Sequence, residues 1–286
     1  MTAEEKQDMK VFEHRNPTAC DPPGAFREIL AHPCYTKSRS IEQATFKEHR
    51  FAFFYWYKWF KKLSKKKKNL IPPTLISIDY HLDMAVPQSF EQDELLELED
   101  FSESDLANFC WSRMNSLNDG HILSAAFINI IGDIIVLHKK KAYEDVRVKK
   151  YVDNFGNSHS IFMFKDFDKF SEFILNYETS AIFFDIDLDY FISKVGNYMD
   201  EEGYKTMSSE KIKNIISPSQ PYLKKIYNFL EGFTIATEQK HCGGIINSFK
   251  ILSIIERQLF KDGKNWKIPR MSQSHRDIKR VRKNKT

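Results

Sequence analysis

The sequence predicts an α/β domain with a mostly parallel, doubly wound central sheet. Three observations point there. Short apolar runs (Leu75, Ile76 and Ile78; Ala181 to Phe184; Phe233 to Ala236) have the make-up of strands buried on both faces, as parallel strands are. These runs alternate with segments of helical periodicity. Each also ends in charged residues, at the strand end where open α/β sheets bind their ligands.

The 286 residues suffice for one large domain, and no internal repeat or composition break divides them. The expected organisation is a single catalytic unit over 1–286, with an irregular lead-in to about residue 25 and a basic tail from about residue 270. Apolar and aromatic contents of 42% and 14% are those of a globular chain. No apolar stretch is long enough for a membrane span, and the polar start (Met1 to Lys10) shows no signal peptide. Cys20, Cys34, Cys110 and Cys242 have no CxxC spacing, which argues against a zinc ribbon or disulfide scaffold and for a reducing cytoplasm. The net charge of +4 is mild, but lysines cluster at Lys61, Lys62, Lys65 to Lys68 and Lys139 to Lys141, and the tail is basic from Arg276 to Lys285. Solvated faces explain such runs; so would contact with an acidic peptide leader, and less well nucleic acid, since the tail lacks interleaved aromatics.

In order, the proline-rich start leads to a dense aromatic helix from Phe51 to Phe60, with His49 just before it. A lysine-rich loop closes at Pro72 and Pro73 and hands over to the strand that ends at Asp79. Glu91 to Asp105 reads as surface helix with a cap near Ser102 or Ser104, and the next segment as amphipathic with Phe109 and Trp111 inward. His121 follows a turn at the start of an apolar helix. Gly132 to His138 reads as a strand with His138 structural, and Lys149 to Phe167 as a strand excursion turning at Asn154 to Asn157. A helix over Phe167 to Tyr177 packs through Phe170, Phe173 and Ile174. Gly196 to Ser219 reads as a polar connection, Pro221 to Leu230 as a helix and Gly232 to Glu238 as a buried strand. The loop at His241 precedes a last helix, Ile245 to Phe260, packing through Ile246, Phe249, Leu252, Ile255 and Leu259.

The chemistry concentrates at two strand ends. Asp79, His81 and Asp83 are spaced two apart, as are Asp185, Asp187 and Asp189, so in extended backbone each set faces one way. Carboxylates that close repel one another unless a cation neutralises them. Mixed carboxylate and imidazole ligation suits manganese, zinc or iron, and two such clusters make a shared two-metal site the expectation.

These residues resemble the arginase and ureohydrolase superfamily. Its Asp-x-His-x-Asp motif has its counterpart in Asp79, His81 and Asp83, and its Phe-Asp-Ile-Asp strand in Phe184 to Asp187. Glu48 and His49 match its upstream acid–histidine pair, and Glu238 its strand-closing acid. The similarity spans roughly 45 to 245 and is nearest to the branch of peptide arginases, which convert arginine in ribosomally made precursor peptides to ornithine. The aromatic segment after His49 and the run Asp185 to Phe191 carry that nearer likeness. The glycine-rich motif around the histidine and the loop that holds free arginine's α-groups have no counterpart here.

The resemblance implies an arginase/deacetylase-like three-layer fold and two Mn²⁺, with Fe²⁺ or Co²⁺ as alternatives. It implies His49 and Asp83 on one metal, His81 and Asp187 on the other, and Asp79 and Asp185 bridging. It also implies Glu238 as the guanidinium anchor, His121 or else His241 as the proton shuttle, and an arginine-containing precursor peptide as partner. Asp189 then either orients a metal-bound histidine or caps a turn. The readings held beside this one are another superfamily hydrolase, agmatinase-like or deacetylating, and a metal-stabilised peptide binder without turnover.

Overall fold

The structure is a computed structural model that describes residues 20–32, 40–140, 147–195 and 203–259. The basic tail, Lys141, Cys34 and most of the lead-in lie outside the described residues. Ten strands run β1 (Phe26–Ala31), β2 (Ser40–Phe46), β3 (Thr74–Ile78), β4 (Ile134–Leu137), β5 (Arg147–Val152), β6 (Ser158–Phe164), β7 (Ile182–Asp187), β8 (Ile192–Val195), β9 (Gly203–Thr206) and β10 (Leu230–Ala236) among those residues. The α-helices are α1 (Ala52–Ser64), α2 (Ser89–Glu97), α3 (Glu103–Asn108), α4 (His121–Phe127), α5 (Phe167–Asn176), α6 (Ser209–Ile216), α7 (Pro221–Phe229) and α8 (Ile245–Leu259).

Eight strands form one sheet in the order β1-β2-β10-β7-β3-β4-β6-β5, while β8 and β9 pair separately. All neighbours from β2 to β6 are parallel, and only the edge strands β1 and β5 are antiparallel. The α/β expectation with a mostly parallel sheet therefore holds. Alternation along the strands divides the core. Leu75, Ile134, Val136 and Phe183 face α1 to α4, and Ile76, Ile135, Phe184 and Ile186 face α5 to α8.

The aromatic helix is the closest packed against the sheet. Phe53, Phe54, Tyr55, Trp56 and Trp59 of α1 are buried, and Trp59 lies flat enough on β10 that a Cβ on Gly232 would stand 2.0 Å from its ring. Gly232→Ala must push that ring or the strand aside. We expect a loss of about 3 kcal/mol in chemical denaturation, the cost of overpacking a filled core; an unchanged midpoint would contradict this packing.

Several local expectations change. Trp111 is 48% exposed, not inward, because the chain winds as a π-turn over Phe109–Arg113 and only Phe109 and Cys110 stay inside. Ile246 and Phe249 are exposed, and α8 packs instead through Ser248, Ile251, Leu252, Ile255 and Leu259. A run of i+3 steps drifts around a helix, so one end of the predicted stripe leaves the buried face. The described part of the polar connection contains β9 and α6. Ser102 caps α3, accepting from the Asp105 amide at 3.1 Å. No helix among the described residues is long and apolar enough to cross a membrane.

Candidate metal centre

Four adjacent parallel strands, β2, β10, β7 and β3, deliver their C-terminal ends to one place. His49 follows β2 in a short 3-10 turn, Asp79 follows β3, Asp187 ends β7, and Glu238 comes two residues after β10. His49, Asp79, Asp83, Asp185, Asp187, Asp189 and Glu238 are all buried. So many carboxylates cannot be kept from water without compensating positive charge.

His49 is the hub. Its Nε2 lies 2.8 Å from Asp185 Oδ2. Around its Nδ1 stand Asp83 Oδ2 at 2.9 Å, Asp187 Oδ2 at 3.1 Å and Asp79 Oδ2 at 3.5 Å. Yet Nδ1 and Asp79 Oδ2 make no aligned hydrogen bond. Oxygens gathered about a nitrogen without a donor geometry are disposed as around an ion. His81 Nδ1 approaches Asp189 Oδ2 at 3.0 Å and Asp79 Oδ1 at 3.9 Å.

Four groupings come within ligand reach: His49, Asp83 and His121; His49, Asp79 and Asp187; Asp79, His81 and Asp189; Asp187, Asp189 and Glu238. Asp79 and Asp187 each belong to two of them. Asp185 belongs to none, and its register explains this. It pairs with Ser77 on β3 and Thr234 on β10, one rung inside the sheet edge. Ser77 Oγ donates to its Oδ2 at 2.9 Å and Thr234 Oγ1 to its Oδ1 at 2.6 Å, so protein donors already satisfy both oxygens.

The electrostatics are those of a cluster that a cation would neutralise. Burial, then the charges of Asp83, Asp189 and Asp187, pushes the Asp79 carboxyl well above the usual range. Burial, then Asp189 and Glu238, does the same to Asp187. Glu238 is pushed up to about 7, by burial first and then by the Asp189 and Asp83 charges, which together outweigh His49. Burial would lower His49, but Asp185, Asp187 and Asp83 outweigh it and raise the imidazole well above its usual value.

The two proposed shuttles are placed differently. His121 is fully buried, its ring 4.2 Å from that of His49, and burial and then the His49 charge lower it well below its usual value. His241 lines a cavity of about 310 Å³ with His81, Asp83, Asn118, Asp119 and Glu238, and Met84, Leu117 and Met163 add apolar lining. Its Nε2 lies 3.8 Å from Glu238 Oε2. Sequence reasoning missed Asn118, whose Nδ2 donates to both Glu48 and Glu238.

No protein-family model matches the chain, and no curated protein is significantly similar to it.

Proposed function

We propose that this protein is a binuclear metal hydrolase acting on the guanidinium of arginine side chains within a peptide, releasing urea and leaving ornithine. The observation that carries this reading is Glu238, a buried carboxylate in the cavity wall within ligand reach of Asp187 and Asp189. A buried acid beside a metal cluster calls for a cationic substrate group, which a deacetylase has no need to bind.

His49, Asp79, Asp83 and Asp187 would hold one ion, and Asp79, His81, Asp187 and Asp189 the other, with Asp79 and Asp187 shared. Such ions, when bound, supply Lewis acidity and a water acidified to near neutral pH. Manganese, iron and cobalt all suit this oxygen-rich set. Asp185 then holds the His49 ring through Nε2 and fixes which nitrogen faces the ions. Glu238 binds the guanidinium and orients its carbon towards the carboxylate cluster. Met84, Leu117 and Met163 offer apolar contact to the substrate stem. His241, on the cavity wall, gives the proton that the departing amine needs, and His121 supports His49 from behind.

The ligand assignment separates two neighbouring acids. Asp189→Asn is expected to lose one of two metal equivalents, whereas Asp185→Asn keeps both with affinity lowered about 10- to 100-fold. Metal content after dialysis reads this directly; the reverse pattern would return Asp185 to the bridging position.

The function itself is tested by mass spectrometry of arginine-containing peptides and free arginine incubated with manganese-loaded protein. The expected result is a loss of CH₂N₂ from peptide arginines, with urea in solution. Loss from free arginine alone would make it an ordinary arginase. No loss from either, with metal bound, would overturn the reading.

A further inference from the structure

We propose that the lysine-bearing end of α1 forms a docking groove for an acidic, extended polypeptide segment, at the edge of the sheet opposite the metal cluster. Naming that segment as part of the substrate peptide rests on the reading above; the groove itself does not. Two adjoining cavities, of about 600 and 410 Å³, share Glu42, Trp59, Lys62 and Lys66 in their walls. Lys61 and Lys65 line the first, and Lys67 lines the second. Ser40 and Glu231, at the starts of β2 and β10, also border the second, so the groove lies where these parallel strands begin and not where they end. The lysines sit on an ordered turn. The amides of Lys65, Lys66 and Lys67 donate to the Lys61 and Leu63 carbonyls at 3.4, 2.9 and 3.1 Å. Lys61 and Lys62 complement the dipole in the last turn of α1 and are paired with Glu99 and Glu42, both at 3.3 Å. Lys65, Lys66 and Lys67 follow that turn, and they have no ion pair among the described residues.

The walls favour a polypeptide over a nucleic-acid strand, which would stack its bases on bare aromatic faces. Trp59 is buried with Gly232 and Phe183 against its ring, and Tyr57 has the Phe53 ring stacked on it and the Lys61 ammonium over it. Glu42, Glu103 and Glu231 stand among the lysines. A strand with a phosphate at every step would meet these carboxylates. A polypeptide can set its acids against the lysines and neutral side chains against the glutamates. Helix α1 starts beside His49 and ends at the groove, and its 13 residues span about 20 Å. A peptide with its arginine at the metal cluster and its acidic stretch in the groove therefore needs a spacer of at least about six extended residues.

The test measures fluorescence anisotropy of a labelled Glu-Ser repeat peptide on the full chain, beside its Gln-Ser counterpart and an oligothymidine of equal charge. One variant combines Lys65→Ser, Lys66→Ser and Lys67→Ser. A second removes the same charge from other exposed positions through Lys213→Ser, Lys224→Ser and Lys250→Ser. Wild type should bind the Glu-Ser peptide best, and less well as salt is added. The first variant should weaken that binding about 3- to 100-fold, the sum of three exposed ion pairs, and the second should leave it unchanged. With manganese, a Glu-Ser stretch joined to an arginine through a long Gly-Ser spacer should show a lower KM than Gly-Arg-Gly. A spacer of about three residues, too short to reach, should abolish that advantage. Equal binding of the Glu-Ser and Gln-Ser peptides, tighter binding of the oligothymidine, or equal losses in both variants would overturn the groove. Selective binding of the acidic peptide without turnover of any arginine would keep the groove and sink the hydrolase. Turnover with no selective binding would do the opposite.

Discussion

Asp79→Asn is expected to abolish divalent-metal binding and turnover while making the metal-free protein more stable. Asp79 stands in two of the metal-capable groupings, so one substitution would remove a ligand oxygen from both proposed ion positions. In the metal-free chain the same carboxylate is a liability: its Oδ2 has no hydrogen-bond partner, and burial and the repulsion of three other acids outweigh the attraction of His49. Asparagine keeps the acceptor for the His81 amide, now 2.6 Å from Oδ1, and removes the charge. The metal-free gain should be about 1–4 kcal/mol, the range seen when poorly compensated buried charges are replaced. A pH series adds a sign. The folded carboxyl lies above its unfolded value, so the folded state binds the extra proton, and wild-type stability falls as pH rises from the ordinary carboxylate range towards the folded pKa. The variant should lack that slope. Melting curves in chelator and in manganese measure all of this, and a variant that still gains stability from manganese would refute the shared-ligand role.

Glu238→Gln is expected to lower kcat/KM on arginine peptides by about 30- to 4,000-fold, the cost of removing one partner from a desolvated, hydrogen-bonded charge pair. Glutamine preserves the shape and still accepts from the His49 amide and Asn118. Metal content should stay at the wild-type value, because Asp187 and Asp189 remain. A loss of metal with Glu238→Gln would make this residue a ligand, and unimpaired kinetics would remove it as the substrate anchor.

Much of the centre was legible in the sequence because its information is local. The spacing of two flagged Asp79, His81 and Asp83, and an apolar run announced the strand beneath Asp187. Yet β3 ends at Ile78 and the chain turns, with Asp83 at φ 50°, so these side chains do not reach the site by strand alternation. Asp185 has the same local signature, and what distinguishes it is depth. That depth comes from alignment with Ser77 and Thr234, a property of pairing between strands and not of any one of them. Asn118 was hidden for a related reason. An Asn-Asp-Gly turn explains an asparagine well enough, and its partners lie 70 and 120 positions away in the chain. The edge strand β1 and its neighbour β2 carry Arg27, Glu28, Glu42 and Gln43 within them, so neither gave an apolar run to read. The distribution of polar loops likewise concealed β9 and α6.

The arrangement of β2, β10, β7 and β3 side by side has a consequence for how the molecule comes apart. His49 and Glu238 flank most of the described chain, yet they meet because β2 and β10 pair side by side, while Asp187 and Asp79 join them through β7 and β3. Ions held there, as proposed, would act as rivets between segments that are far apart along the chain. Ligation free energy then falls on cooperative opening of the whole sheet and not on fraying of a loop. With metal bound as proposed, a chelator would loosen the scaffold from its centre outwards.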